Sequence, residues 1–360
     1  MPLLRSFRPR SIVVLRALPL GQMLCAVPAL RALRTECPRA SITLVGLPSG
    51  RSLCERLSHY IDDFVPFPGF PGLPEQPTHP PQFARFVLEM RSWRFDLAVQ
   101  MHGDGHVSNR VARLLGARRI AGFRRSDETP DEAGTGSPNA WLDYDDRGHE
   151  IRRLLRLTRF LGCDECDETL EFAILACDLA ELRDSGLARG LEPGRYVCVH
   201  PGAGAAHWPA AHLAAVADAL HEAYGLPIIV AGSPSEREAC AELRARMRAP
   251  AVDAAGQLSA GAQAALLDDA RLLVAGDSEL SQLASALQVP SVTVFTASDP
   301  TRWAALETEL HRCVLPDDGN GPQTVLAHAH ELMARRNARK NSSGTRRAHR
   351  ATHRARAGAP

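Results

Sequence analysis

The sequence predicts an α/β protein made of two doubly wound parallel sheets, one in each half of the chain. Short apolar runs rich in Val, Ile and Leu alternate with stretches of helical spacing through both halves. The runs are apolar throughout, which is typical of strands buried on both faces of a parallel sheet. Strands alternating with helices indicate a Rossmann-like fold, and the chain length of 360 residues suits two domains.

Nine apolar runs are the predicted strands, and they fall into two groups. The first group lies at residues 11–17, 41–47, 62–68, 95–102 and 118–123. The second group lies at residues 196–202, 227–232, 271–277 and 291–297. Helical spacing fills the stretches between strands, as after Pro209, which stands where a first helical turn tolerates proline. Each half is therefore predicted to be a sheet covered by helices on both faces.

The segment between the two groups differs in composition. Residues 124–148 are rich in Asp, Gly, Ser and Pro without a clear period, which predicts a long loop. A helix is predicted from about His149 to Leu161. We therefore expect four parts, namely a first domain over 1–150, a linking helix and connector over 151–194, a second domain over 195–334 and a disordered basic tail over 335–360.

The tail carries most of the unbalanced positive charge. Residues 335–360 hold nine Lys or Arg residues and no acidic residue, so the remainder is −8 although the whole chain is +1. Without bulky apolar residues such a segment is predicted to be disordered. Such a tail can bind an anionic membrane face or a nucleic acid, or it can be a solvated extension that binds no partner. The acidic remainder indicates that the body does not bind nucleic acid.

Composition also bears on compartment and metal binding. No stretch approaches the roughly 18–20 uninterrupted apolar residues of a membrane span. The apolar patch near the N-terminus is short and contains Arg16, which predicts a core strand and not a signal peptide. Nine dispersed cysteines are typical of reduced thiols, so we expect a cytoplasmic protein. Cys163 and Cys166 lack the further ligands of a zinc site, and we expect them to be free thiols in a surface loop.

Glycine-containing loops follow several predicted strands, at the places where ligands bind in such sheets. The loop "LPLGQML" follows the first strand and "QMHGDGH" follows the fourth. In the second half, "HPGAGAAHWP", "AGSPSERE" and "AGDSELSQ" follow three strands. Glycines beside helix starts let backbone N–H groups approach an anion. Two of these loops, "HPGAG" and "GDSELSQ", therefore predict the sides of a phosphate pocket, and Glu236 is placed to take ribose hydroxyls or to favour a helix N-terminus.

The same segments resemble a known family. The runs around "LCAVPALRALR", "WPAAHLAAVADAL", "AGSPSERE" and "GDSELSQLASALQVPSVTVFTASDPTRW" are similar to those of the bacterial heptosyltransferases, glycosyltransferase family 9, over most of residues 11–316. The resemblance implies a GT-B architecture, with two Rossmann-like domains facing a cleft. It also implies inverting, metal-independent transfer of heptose from ADP-heptose to the inner core of lipopolysaccharide. No cofactor is then expected besides the nucleotide-sugar donor.

The resemblance assigns roles to the strand-end residues. The first domain is expected to hold a lipid-linked saccharide acceptor, which implies contact with the inner face of the inner membrane, and the acceptor-side residues are Leu20, Gly21, Gln22 and Gly103. The second domain is expected to hold the nucleotide sugar. Its donor-binding residues are Pro201, Gly202, Ala203, Gly204, His207, Gly232, Ser233, Glu236, Leu258, Asp277, Ser278, Glu279 and Gln282.

Several family-typical residues are replaced in this chain. Gln22 stands where the family has an aspartate that resembles a general base, and losing a positioned base typically costs about 10²- to 10⁴-fold in rate. In the family's Asp-Thr-Gly-x-x-His loop, Glu279 replaces the glycine and Gln282 replaces the histidine. A full charge on Glu279 about 4 Å from a phosphate would repel it by about 4 kcal/mol. Ala206 stands about where the family has a Lys or Arg that clamps the phosphates.

The sequence therefore leaves more than one function open. The first is a working glycosyltransferase with a substitute base, for which His102 and Asp104 after the fourth strand are the candidates, with a purely structural polar loop as the alternative. The second is a non-catalytic scaffold that binds a nucleotide, an envelope saccharide or a protein. An epimerase or dehydrogenase is poorly supported, because no GxGxxG follows the first strand. Asp299 and Arg302 either line the ligand site or cap the helix that follows.

Overall fold

The computed structural model describes residues 2–126, 140–164, 167–202, 208–316 and 321–340, with side chains to residue 335. Within these ranges the chain forms two compact units, Met1–Leu170 and Glu171–Pro360. Each unit contains a parallel sheet of six strands. The predicted α/β class, with one sheet in each half, is therefore confirmed.

In its described residues the first unit contains six strands and seven α-helices. The strands are β1 (Ser11–Leu15), β2 (Ser41–Gly46), β3 (Asp63–Pro66), β4 (Leu97–Gln100), β5 (Arg119–Arg124) and β6 (Ala140–Asp143). The helices are α1 (Leu3–Ser6), α2 (Leu20–Leu24), α3 (Val27–Glu36), α4 (Arg51–Arg56), α5 (Pro80–Ser92), α6 (Ser108–Leu114) and α7 (Glu150–Leu161). The strand order is β3-β2-β1-β4-β5-β6, which is the order of a dinucleotide-binding Rossmann sheet.

The second unit repeats this plan. Its strands are β7 (Val197–His200), β8 (Ile228–Val230), β9 (Ala251–Asp253), β10 (Leu272–Gly276), β11 (Ser291–Val294) and β12 (His311–Val314). Its helices are α8 (Ala176–Ser185), α9 (Ala210–Tyr224), α10 (Arg237–Arg246), α11 (Ala260–Asp268), α12 (Glu279–Leu287), α13 (Pro300–Trp303) and α14 (Pro322–Lys340). The order β12-β11-β10-β7-β8-β9 is the same Rossmann order, with β7 and β10 at the centre.

The central strands are formed by the apolar runs that the sequence predicts. In β1 the residues from Ile12 to Leu15 are buried, and β10 is buried along its whole length. Outside the first sheet, Phe86 and Met90 of α5 share one core with Val111 of α6. A parallel sheet needs such a cover on each face because both faces are apolar.

Three of the four edge strands are absent from the sequence prediction, whereas the fourth, β3, lies within the predicted run 62–68. Strands β6, β9 and β12 lie at the edges of the two sheets and have mixed or half-buried patterns. Since an edge strand has a neighbour on one side only, its residues need not be apolar throughout. Part of the segment 124–148 that was predicted as a loop is therefore strand β6, whereas residues 127–139 lie outside the described residues.

Helix α7 begins and ends where the sequence predicts, for local reasons. The His149 side chain caps the helix by accepting a hydrogen bond from the Ile151 N–H at 3.2 Å, and Gly162 ends it with a φ of 110°. The helix packs on α3 of the first unit, whereas α8 packs on α11 of the second. The predicted connector 151–194 is thus divided between the two units.

Helix α14 includes the first residues of the predicted basic tail. Residues 335–340 continue α14, and Arg335 pairs with Glu331 one turn earlier at 2.7 Å, an arrangement that stabilises helices. Residues 341–360 lie outside the described residues. Among the helices that the structure describes, none is long and apolar enough to cross a membrane.

Candidate functional site

Gln22 lies shortly after β1, at the carboxyl ends of the strands of the first sheet. Gln22 is half-buried in the short helix α2, which begins directly after Pro19, so Leu20 and Gly21 are also helical and not part of a turn. The Gln22 carbonyl accepts a hydrogen bond from the Arg16 guanidinium at 2.8 Å. Helix α2 is therefore fixed to the residue that follows β1, at the switch point where α/β sheets bind ligands.

Arg16 connects the elements that meet here, a role that the sequence analysis did not predict. Its side chain is 0% exposed, and it donates to the Met101 carbonyl at 2.7 Å and to Glu150 at 3.1 Å. Glu150 also pairs with Arg153. A buried guanidinium is tolerated only when such partners replace its hydration. Arg16 thus joins the end of β1, helix α2, the loop after β4 and helix α7.

His102, a predicted substitute base, is buried and held at both ring nitrogens. Its exposed fraction is 4%, and Nδ1 accepts a hydrogen bond from the Ala17 N–H at 3.2 Å. Its Nε2 lies 3.4 Å from Glu75 Oε1. Because Nδ1 is an acceptor, Nε2 carries the proton and faces the carboxylate. The hydrogen bond from His102 lowers the pKa of Glu75 below its usual range, so this carboxylate is ionised at neutral pH.

The backbone under His102 is fixed by a buried amide. The Gln100 side chain donates to the His102 carbonyl and to the Ser108 hydroxyl, and it accepts from the Phe123 N–H at 3.0 Å. There is no room for a side chain at Gly122, where a Cβ would lie 2.7 Å from Gln100. The loop after β4 is therefore rigid where it carries His102.

Asp104, the other predicted substitute base, stabilises its own loop. Its Oδ1 accepts from the His106 N–H at 2.9 Å, and its Oδ2 lies 3.7 Å from Arg125. Gly103 before it has a φ of 64°, which glycine adopts without strain. These contacts are those of a solvated turn, and the role of Asp104 as a base stays a prediction.

In the second unit, the two predicted phosphate loops meet at the ends of neighbouring strands. Strands β7 and β10 pair directly, and a Cβ on Gly276 would lie 2.7 Å from the Gly202 Cα and 2.9 Å from the Pro201 carbonyl oxygen. Glycine is required where two backbones come this close. Ala203, Gly204, Ala206 and His207 lie outside the described residues.

His200 and Glu236 form a buried pair beside these loops. His200 is 1% exposed, and its Nδ1 accepts from the Gly202 N–H at 3.0 Å. Its Nε2 lies 3.2 Å from Glu236 Oε2, an ion-pair distance without good hydrogen-bond angles. The same Oε2 accepts from the Ser233 N–H at 2.7 Å. Burial raises the pKa of Glu236, but His200 and the Ser233 amide outweigh it and lower the pKa to about 2.

The start of α12 supplies the polar groups of the second loop. Burial raises the pKa of Asp277, whose carboxylate accepts a hydrogen bond from the Ser298 hydroxyl. The Ser278 hydroxyl oxygen is buried without a hydrogen-bond partner among the described residues. Ser278 is also the residue before the first turn of a nine-residue helix, where free N–H groups favour an anion.

Glu279 as a residue is exposed to solvent, but protein atoms and the charge of Glu236 surround its carboxyl group. Burial, followed by the charge of Glu236, raises its pKa to about 7. At neutral pH it is therefore ionised only in part, and the repulsion of a phosphate is smaller than the full charge predicted from the sequence.

Other predicted donor-side residues have structural contacts. Gln282 donates to the Trp303 carbonyl at 2.7 Å. Asp299 caps α13 by accepting from the Thr301 N–H at 2.8 Å, so its capping role is the one observed. Leu258 is buried, and a Cβ at Gly232 would lie 2.8 Å from the Cys240 sulfur. Their predicted contacts with a donor stay predictions.

The cysteine loop differs from its prediction at the position that the structure describes. Cys163 is a buried free thiol, and burial raises its pKa to about 12; Cys166 lies outside the described residues. Among the described residues, no group of three or more His, Cys, Asp or Glu side chains could hold a metal ion.

Comparison with known proteins decides which family this arrangement belongs to. The model of glycosyltransferase family 9 (heptosyltransferase) matches residues 83–332. The chain belongs to glycosyltransferase family 9. The family resemblance seen in the sequence is therefore confirmed, and the chain is a member of a family of transferases.

Solved structures of this family share the fold. A glycosyltransferase family 9 protein from Veillonella parvula is 19% identical with a TM-score of 0.75, over 91% of this chain and 98% of that one. The ADP-heptose lps heptosyltransferase II of E. coli is 19% identical with a TM-score of 0.70, over 91% and 99%. E. coli heptosyltransferase WaaC with ADP is 17% identical with a TM-score of 0.66, over 91% and 99%. No curated protein matches significantly in sequence.

Proposed function

We propose that this chain transfers a heptose from ADP-heptose to a sugar hydroxyl of lipopolysaccharide, with inversion at the anomeric carbon and without a metal ion. The supporting observation is the close approach of Gly276 to Gly202, because it joins the two predicted phosphate loops at one edge of the second sheet. The heptosyltransferase II and WaaC structures, which share this fold, are named for ADP-heptose or contain ADP.

The donor diphosphate is proposed to lie between the Gly202 loop and the start of α12. The unpartnered Ser278 hydroxyl and the free N–H groups of the first α12 turn would donate to its oxygens. The contacts of Glu236 with His200 and the Ser233 N–H are made by its Oε2. Its Oε1 would accept a hydrogen bond from a ribose hydroxyl.

The acceptor is proposed to lie on the first unit, and charge supports this division. Residues 1–170 hold 23 basic and 20 acidic residues, a net charge of +3, whereas residues 171–334 hold 10 basic and 21 acidic residues, a net charge of −11. The first unit is therefore the more favourable of the two for an anionic saccharide, whereas binding of the donor diphosphate by the second unit depends on local N–H groups at the start of α12. Such an acceptor is lipid-linked, so we expect the chain to act at the inner face of the inner membrane.

A non-catalytic scaffold is the second candidate, and Gln22 favours it. An amide at the base position cannot take a proton from the acceptor. The transferase and the scaffold would both keep a donor site, so binding of a nucleotide sugar tests the feature that they share. Turnover of the donor distinguishes the transferase from the scaffold.

The experiment is a calorimetric titration of the full chain with ADP-heptose, beside Glu279→Gln and the control Glu222→Gln on the exposed side of α9. We expect a Kd in the micromolar range, about −8 kcal/mol, that is tighter in Glu279→Gln and unchanged in Glu222→Gln. Absence of binding by all three proteins would overturn the proposed function.

A further inference from the structure

The segment between β3 and α5 carries a carboxylate that no motif in the sequence marks. Glu75 lies in this segment with its side chain 23% exposed, and one oxygen faces His102. Its other oxygen, Oε2, is buried without a hydrogen-bond partner among the described residues. A buried carboxylate oxygen without a donor is costly, and a ligand hydroxyl is a donor that would satisfy it.

The segment is built to hold Glu75 in place. A Cβ on Gly69 would lie 2.3 Å from the Pro77 carbonyl oxygen, so the two ends of the segment close on each other. Gly72 packs against Val107, where a Cβ would lie 3.2 Å from the valine methyl group. Val107 directly precedes α6 and follows the loop of His102. The two loops that carry Glu75 and His102 are thus packed together.

The pair is anchored to the same end of β1 as the backbone of Gln22, the position where the family resemblance implies a base. His102 is bound to the N–H of Ala17, and Gln22 is bound to the side chain of Arg16, the preceding residue. Arg16 also binds the carbonyl of Met101, which precedes His102. Gln22 and the His102–Glu75 pair are therefore anchored to two adjacent residues at the end of β1.

We infer that Glu75, oriented by His102, is the general base that takes the place of the residue lost at Gln22; this rests on the proposed function. The acceptor O–H bond breaks and its proton passes to the Glu75 carboxylate. The acceptor oxygen forms a bond to the anomeric carbon while the bond from that carbon to the diphosphate breaks. The electron pair of that bond leaves on the nucleoside diphosphate, so charge and protons balance.

His102 acts here as a positioning residue. Its Nε2–H holds one oxygen of Glu75, and rotation about the last torsion of the glutamate, which has a broad energy profile, presents either oxygen to the acceptor. The hydrogen bond from His102 lowers the pKa of Glu75, so the carboxylate is ionised at neutral pH, as a general base must be.

The test is release of ADP from ADP-heptose by the full chain, with lipopolysaccharide lacking heptose as the acceptor. We expect Glu75→Gln to lower kcat by about 10²- to 10⁴-fold with little change in the donor KM. The exposed control Glu89→Gln on α5 should keep the unmutated rate. Adding Gln22→Asp to Glu75→Gln should restore much of kcat, which a purely structural role of Glu75 does not predict. His102→Gln should lower kcat less than Glu75→Gln.

Each outcome decides between the two proposals. If the unmutated chain turns over and Glu75→Gln is equally fast, Glu75 is not the base and the proposed function stands. If only proteins with Gln22→Asp turn over, no substitute base exists and the chain is a scaffold with a donor site. If no protein turns over or binds ADP-heptose, both proposals fail. Thermal melting of each variant confirms that it is folded.

Discussion

Each unit places a histidine and a glutamate at the carboxyl edge of its sheet, His102 with Glu75 in the first and His200 with Glu236 in the second. In both pairs Nδ1 accepts a backbone N–H and Nε2 faces the carboxylate. In the second pair the oxygen that meets the imidazole also accepts the Ser233 N–H and so closes a turn.

In the first pair the backbone contact of the carboxylate comes from the N–H of Glu75 itself. Glu75 is held by His102, and its Oε2 has no hydrogen-bond partner among the described residues. The Glu236 carboxylate therefore closes a turn with Ser233, whereas the Glu75 carboxylate keeps one buried oxygen without a donor among the described residues.

Replacing Arg16 should have the largest effect on stability, because its side chain joins the end of β1, helix α2, the loop after β4 and helix α7. Arg16→Met leaves Glu150 and two carbonyls without their buried donor, and we expect the free energy of unfolding to fall by about 3–5 kcal/mol. That corresponds to a melting temperature lower by roughly 10 °C. The matched change Arg152→Met breaks an exposed pair with Glu168, and should cost at most about 1 kcal/mol. Equal losses in urea unfolding would contradict the organising role of Arg16.

A methyl group at Gly276 tests the close packing of the loops that follow β7 and β10 in the second unit. Gly276→Ala forces the Gly202 backbone away, so we expect a loss of about 1–3 kcal/mol in unfolding free energy together with weaker ADP-heptose binding. At Gly103, in the loop after β4 of the first unit, no described atom beyond its two chain neighbours lies within 4 Å of an added Cβ. Gly103→Ala should therefore cost only the strain of its positive φ, about 1–2 kcal/mol. Unchanged donor affinity in Gly276→Ala would mean that the two loops do not form the phosphate site.

The smallest predicted effect is a pH dependence at Glu279. Its pKa is raised to about 7 by burial and by Glu236, and the anionic donor binds better when Glu279 is protonated. Affinity for ADP-heptose should therefore be highest below pH 7 and fall by up to about tenfold between pH 6 and pH 8. In Glu279→Gln the affinity should not change over this range. Titrations at pH 6, 7 and 8 check both proteins, and a rise in affinity with pH would show that Glu279 does not face the donor.

The sequence predicted the central strands and the edge strand β3 but missed the other three edge strands. Central strands such as β1 and β10 are buried on both faces, so burial requires a continuous apolar run that can be read directly. The edge strands β6, β9 and β12 have no such requirement, and their short mixed sequences resemble loops.

The contact between the two glycine-containing loops of the second unit could be expected from the sequence, whereas the Glu75–His102 contact of the first unit could not. The loops at Gly202 and Asp277 follow strands and contain glycine, and the structure does bring them together. Glu75 could not be found this way, because it lies in a proline-rich segment, 27 positions before His102, and only the packing of two loops brings them together. Arg16 was hidden for a similar reason, since its partners lie 6, 85 and 134 positions away.

Release of ADP from ADP-heptose by the unmutated full chain, with and without lipopolysaccharide that lacks heptose, tests most directly whether this chain is a working transferase. We predict release that depends on the acceptor and stops when the acceptor is consumed. Tight binding of ADP-heptose without acceptor-dependent release would contradict this prediction and would identify the chain as a scaffold that has kept its donor site.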